Sequence, residues 1–271
     1  MHIARFVPRV CRVARRLHPS LAGAIWGDPG HGRAMVRYPL VIVTLVACGG
    51  SAPVGAPTRP PESPALAEES PDDECRTACV TAHGVELGQN EGVVAYSNCS
   101  ERCIDETPNM VDLGVEEPVY TGIIYQCVEY ARRWWLMKRG LVFGSVDTAD
   151  DMWTEVREAT SPTGDSTFRV SQVDNGGAAA PEVGDLVIYA SDPTMPRLRF
   201  GHVTVVVGVD LEAGVVFVAE QNFDNAPWAE ADSHARTLAL DTEGDRFTLR
   251  DDGVPDARIY GWLHLAAPPP G

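Results

Sequence analysis

Two apolar runs restrict this chain most: His202-Val203-Thr204-Val205-Val206-Val207-Gly208-Val209 and Val215-Val216-Phe217-Val218-Ala219-Glu220. Their β-branched residues favour extended backbone. Only Asp210-Leu211-Glu212-Ala213-Gly214 separates them, a five-residue loop ending in glycine, so the runs are expected to pair as an antiparallel hairpin. With Val209 opposite Val215, His202 faces Asn222 and Glu220 sits one diagonal away on the same face. A shift of one residue would turn Glu220 to the other face. Pro181 to Tyr189 reads as a turn followed by a strand, and Thr248–Arg250 and Ile259–Leu263 as closing strands.

Before these strands lies Tyr125-Gln126-Cys127-Val128-Glu129-Tyr130-Ala131-Arg132-Arg133-Trp134, and Lys138-Arg139-Gly140 follows shortly after. Cations in a last turn and a glycine just beyond it mark a helix C-terminus. The pattern predicts a helix from about Cys127 to Arg139, packed through Val128, Ala131, Trp134 and Trp135. The expected fold class is α+β, a helix on an antiparallel sheet. Cys127 falls in the first helical turn. There the helix N-terminus, and an imidazole if one is near, would stabilise a thiolate.

Four other cysteines form Cys75-x3-Cys79 and Cys99-x3-Cys103. Cysteines four apart share a helix face, which predicts a small helical hairpin over 73–105 with its turn near Gly84 to Asn90. An antiparallel hairpin pairs Cys75 with Cys103 and Cys79 with Cys99, one of three connectivities. Export favours disulfides, and a four-thiolate zinc site is the alternative reading. Of the chain's seven cysteines, Cys11 and Cys48 belong to the N-terminal segment, so Cys127 is left over. A leftover thiol in an exported protein is either buried and inert or reactive.

The N-terminal segment itself reads as an address. Arg37 precedes an apolar run, Pro39 to Ala47, that is too short to span a bilayer, and Cys48-Gly49-Gly50-Ser51 follows. That order describes a secretory signal, and Leu45-Val46-Ala47-Cys48 resembles a bacterial lipobox in which Cys48 is acylated. A start near residue 35 would give a signal of ordinary length. Residues 49–72 are proline-rich and almost free of large apolar side chains, as in an extended tether. The chain carries a formal charge of −16, and residues 1–48 hold seven arginines against one aspartate, so the remainder stands at −22. Such a surface repels nucleic acid.

Residues 118–265 resemble the CHAP family, the cysteine- and histidine-dependent amidohydrolases/peptidases, a papain-like group. Their likeness is nearest to the amidase domain of bacterial glutathionylspermidine synthetase/amidase. The matching text is Gln126 to Arg133, Gly184-Asp185-Leu186, Gly201-His202-Val203, Ala219-Glu220-Gln221-Asn222 and Gly261-Trp262. The resemblance implies Cys127 as nucleophile, His202 as general base and Glu220 as the carboxylate that orients it. It further implies Gln126 beside the oxyanion and Arg132 and Asn222 as substrate contacts. Chemistry of this kind needs no metal and no cofactor. The expected partners are an amide-bearing substrate, glutathionylspermidine-like or a peptidoglycan peptide, and a membrane reached through the N-terminal lipid. A non-catalytic cell-surface binding module is the competing expectation.

Overall fold

The computed structural model describes residues 74–114 and 117–266. The signal segment, the acylation expected at Cys48 and the tether over 49–72 lie outside the described residues. No helix among the described residues is long and apolar enough to cross a membrane.

In chain order the elements are β1 (Glu86–Asn90), β2 (Val93–Tyr96), β3 (Pro108–Val111), β4 (Val119–Ile123), α1 (Cys127–Arg139), β5 (Val142–Phe143) and α2 (Ala149–Glu155). They continue with β6 (Glu158–Thr160), β7 (Thr167–Asp174), β8 (Leu186–Tyr189), a 3-10 turn (Pro196–Leu198), β9 (His202–Asp210) and β10 (Val215–Ala219). β11 (Arg236–Glu243), β12 (Arg246–Arg250) and β13 (Ile259–Leu265) complete the order. Nine strands form one sheet in the order β12-β11-β10-β9-β8-β13-β7-β6-β5. Every pairing in it is antiparallel, so the class is α+β.

Helix α1 covers one face of this sheet. Its Ala131, Trp134 and Trp135 are buried in a core with Leu186, Ile188, Val203, Val205 and Leu263. Burying each large apolar side chain there contributes roughly 1.5–3 kcal/mol. The other face buries Val187, Val206, Val216, Val218, Leu238, Leu249 and Trp262, which explains why β8 is buried on both sides. Gly140 ends α1 in the left-handed region (φ 65°), its N–H reaching the Leu136 carbonyl, as a glycine C-cap does. Trp135 Nε1 donates to the Gly184 carbonyl at 2.7 Å, pinning the helix to the turn before β8.

The β9–β10 register differs from expectation at its outer end and agrees at its inner end. Val215 faces Asp210 and Val216 faces Val209, but Val218 faces Val206 and Ala219 faces Val205. The difference begins in the loop. Asp210 Oδ1 accepts the Ala213 N–H at 2.8 Å, a short Asx-type turn that keeps Asp210 in the strand. Val207 is then the extra residue of a β-bulge, and the ladder regains the phase in which His202 and Glu220 share a face. Bulges beside functional sites commonly re-aim side chains in this way.

The helical hairpin expected over 73–105 is corrected by the structure. Its centre is the β-hairpin β1–β2, turned by Glu91 and Gly92, both at positive φ (47° and 85°), the pattern of a two-residue primed turn. Val93, Ala95 and Ser97 are fully buried. The apolar period is therefore two, and it overrides the four-residue cysteine spacing. The disulfides join Cys75 to Cys103 and Cys79 to Cys99, which leaves no thiolate quartet for zinc. This hairpin packs on α1: Trp134 Nε1 donates to Asn90 Oδ1 at 3.0 Å, and Arg133 Nη1 to the Val94 carbonyl at 2.7 Å.

Candidate active site

His202 opens β9 directly after Gly201, whose φ is +73°. A Cβ on Gly201 would lie 2.7 Å from both Asp150 N and Tyr189 O, closer than real Cβ contacts come. Only glycine lets the strand begin this close to α2 while adopting that φ. His202, paired with Tyr189 across the ladder, is almost wholly buried. Its Nε2 lies 2.7 Å from Glu220 Oε2, which leaves Nδ1 for the other side of the ring. The thiol of Cys127 lines the same groove as His202, and the two groups shift each other's ionisation. Cys127 is partly buried and is the free cysteine among the described residues.

Glu220 follows the last residue of β10 and is buried. It is held from behind by a residue that sequence reasoning missed. Arg236, on β11, bonds Glu220 through Nε and, at 3.1 Å, through Nη2. The same guanidinium bonds Asp251 through Nη1, and Tyr189 Oη donates to Asp251 Oδ2 at 2.9 Å. Phe223 closes this cluster, its ring centroid 3.8 Å from Arg236 Cζ and 4.8 Å from the His202 ring.

These neighbours set the charges. Burial raises the Glu220 carboxyl, but Arg236 and then His202 outweigh it and hold Glu220 at about 2. For His202 burial acts downward, and the Cys127 thiolate and Glu220 together raise it to about 9. Burial pushes the Cys127 thiol up, and the His202 imidazolium brings it below its ordinary value. The shifts run in the direction of a thiolate–imidazolium pair with an ionised carboxylate behind it. Replacing Glu220 by glutamine removes one of the anions that raise His202. In Glu220→Gln the imidazolium is expected to titrate at lower pH than in wild type, followed by NMR of the His202 ring. An unchanged titration would show that Glu220 does not control it.

Cys127 and His202 line a groove of about 390 Å³ together with Gln126, Arg132 and Asn222. Arg132 is 6% exposed, its Nε has no hydrogen-bond partner among the described residues, and its guanidinium lies over the rings of Tyr120 and Phe143. Burial lowers its pKa from the usual value. Asn222 Nδ2 donates to Gln126 Oε1 at 2.7 Å, and Gln126 Nε2 to the Cys103 carbonyl at 3.2 Å, so one N–H of each amide is still available to a ligand. Below them, Glu129 is fully buried and accepts from Arg133 Nε at 2.6 Å and from Gln221 Nε2 at 2.6 Å. That network ties the start of α1 to the chain just beyond β10.

Residues 118–222 match the CHAP domain, a stretch that includes α1, β9 and β10 and all the candidate residues they position. Among curated proteins the chain is similar to the bifunctional glutathionylspermidine synthetase/amidase of Escherichia coli K12, 31% identical over 144 residues, covering 53% of this chain and 22% of that protein. It is similar also to two Crithidia fasciculata proteins. One is glutathionylspermidine synthase, at 31% identity over 149 residues, covering 54% of this chain and 20% of the relative. The other is trypanothione synthetase, at 34% over 173 residues, covering 63% and 24%. The chain thus spans less than a quarter of the length of these relatives.

Proposed function

We propose that this protein is a cysteine-dependent amide hydrolase, with Cys127 as nucleophile, His202 as general base and acid, and Glu220 as the orienting carboxylate. The observation that carries this reading is that Cys127 and His202 line one groove while Glu220 holds the imidazole from behind at 2.7 Å. The helix carrying the thiol and the sheet carrying imidazole and carboxylate fit a papain-like arrangement.

The chemistry then follows from the side chains. The thiolate attacks the amide carbonyl, and the oxyanion faces the backbone N–H of Cys127 and the remaining N–H of Gln126 Nε2. First-turn N–H groups have no partner within a helix, and donors so placed stabilise charge as it develops. His202 passes its proton to the leaving nitrogen as the C–N bond breaks, leaving a thioester on Cys127. It then takes a proton from water, whose oxygen attacks the thioester and releases the acid and the thiol.

Arg132 supports an acidic substrate. Its buried Nε lacks a hydrogen-bond partner among the described residues, which is costly, and a substrate carboxylate in the groove would supply one beside Asn222. Peptidoglycan peptides carry carboxylates near their amide bonds, and glutathionylspermidine carries one at its γ-glutamyl end. The two disulfides support export, and with it acylation at Cys48 and an envelope location, where peptidoglycan is within reach.

Incubating the protein with glutathionylspermidine and with purified muropeptides, products read by mass, tests the reading. Cleavage of one of them is expected, with the acyl group captured on Cys127 early in the reaction. Iodoacetamide is expected to modify Cys127 below the pH at which a free thiol reacts, and to lose that advantage in His202→Ala. If neither amide is cleaved and Cys127 alkylates no faster than a free thiol, a non-catalytic binding module replaces this reading.

A further inference from the structure

Asn98 lies at the end of the β1–β2 hairpin, outside the 118–222 stretch that matches the CHAP domain, yet it is fully buried against the candidate site. Its Nδ2 donates to the Cys103 carbonyl at 2.7 Å, the Ser100 carbonyl at 3.2 Å and Asn222 Oδ1 at 3.1 Å. Its Oδ1 accepts the Tyr125 N–H at 3.3 Å, and its own backbone N–H goes to Asn225 Oδ1 at 2.8 Å. Two of these partners, Cys103 O and Asn222, are the same groups that hold the Gln126 amide. Asn98, Cys103, Gln126 and Asn222 therefore close a ring of hydrogen bonds next to the nucleophile.

An amide side chain has two orientations that exchange oxygen and nitrogen. In this ring only one is compatible for each member. Asn98 gives a proton to Asn222 Oδ1, so Asn222 turns its nitrogen to Gln126 Oε1. Gln126 must then present Nε2 to the Cys103 carbonyl, with its second N–H free. The Cys79–Cys99 and Cys75–Cys103 bonds fix the chain just after Asn98. Asn98 touches none of the atoms that would react, so its influence passes through Gln126.

We propose that Asn98 is a positioning residue for the oxyanion side of this site: it sets the orientation of Asn222 and Cys103 O, and these aim the Gln126 amide. The inference rests on the hydrolase reading above. It separates two functions of one site, because thiolate formation depends on His202 and Glu220 while stabilisation of an oxyanion depends on the ring.

Two reagents distinguish them. Iodoacetamide reports the thiolate, since displacement of iodide forms no oxyanion. p-Nitrophenyl acetate reports both: the thiolate attacks the ester carbonyl, p-nitrophenolate leaves, and an acetyl thioester forms on Cys127, visible by mass. In Asn98→Ala, acylation is expected to fall about 10–100-fold while the alkylation rate and its pH profile stay at wild-type values. Gln126→Ala should show the same split, and Asn98→Ala/Gln126→Ala should be no slower than Gln126→Ala alone, since coupled residues are not additive. Asn98→Asp is the second variant. It keeps size and the acceptor for Tyr125 N–H but loses both donated protons, and it should behave as the alanine variant if Asn98→Ala fails to fold. Wild-type acylation in either folded variant, or additive losses in the double variant, would overturn the proposal. Acylation of wild type no faster than of His202→Ala would overturn the hydrolase reading and this proposal with it.

Discussion

Cys127→Ala is expected to lose essentially all amide hydrolysis, a fall of about 10⁴–10⁶-fold by analogy with removal of the nucleophile from other triads. The magnitude follows from covalent chemistry: without sulfur, no thioester forms, and positioning and oxyanion donors are what remain. The fold should persist, because Cys127 is partly buried at the start of α1 and the helix is anchored by Ala131, Trp134 and Trp135. A second consequence separates a true loss of chemistry from misfolding. The thiolate is the foremost of the influences that raise His202 to about 9, so the ring should titrate at lower pH in Cys127→Ala. Hydrolysis of the amide cleaved by wild type is the measurement. Activity retained within tenfold would remove Cys127 from the mechanism.

The largest effect on stability is expected at Arg236. Glu220 and Asp251 have side chains 4% and 3% exposed and share this one guanidinium. Arg236→Met keeps an apolar stem against Phe223 but leaves Asp251 without its cation and Glu220 with His202 alone, and removing one partner of a buried ion pair typically costs about 3–5 kcal/mol. The pH dependence carries the sign. Glu220 sits at about 2 in the folded protein against 4.5 for the free side chain. Its contribution is therefore complete above pH 4.5 and is lost as pH falls toward 2. In Arg236→Met that acid-side loss should shrink, because His202 alone is left to depress the carboxyl. Thermal melting between pH 3 and 7 reads both effects: a lower midpoint at neutrality and a flatter acid limb. Arg236→Lys should fall between the two, since one ammonium cannot reproduce the forked contacts. A neutral-pH midpoint equal to wild type in Arg236→Met would show that the cluster does not hold the site together.

Much of the central architecture can be read locally. Helix α1 begins at Cys127 and ends at Arg139 because the cation-cation-glycine stop at 138–140 is a short-range signal. β9 and β10 follow from β-branched composition and a short loop, and the inner register that places His202 and Glu220 on one face follows from alternation. What lies beyond local signals is the long-range pairing. β10 and β11 are separated by an irregular stretch from Glu220 to Ala235, so no spacing rule puts Arg236 behind Glu220. A lone arginine in a strand carries no mark of a buried partner. The hairpin at 86–96 shows its alternation only in burial, since Val93-Val94-Ala95-Tyr96 is apolar throughout, while the cysteine spacing points to a helix. Asn98 gives no signal at all, since its partners are backbone and amide groups up to 127 residues away.

The extra residue at Val207 has a practical consequence. Because the bulge separates an outer and an inner phase of the β9–β10 ladder, the turn at Leu211–Gly214 and the His202–Glu220 pair are mechanically decoupled. A change of length at the tip is expected to leave the His202–Glu220 contact in place. Leu211, 56% exposed at that tip, thus marks a natural attachment point for a fluorophore or an affinity handle, on the molecule's most forgiving edge rather than its most exacting one.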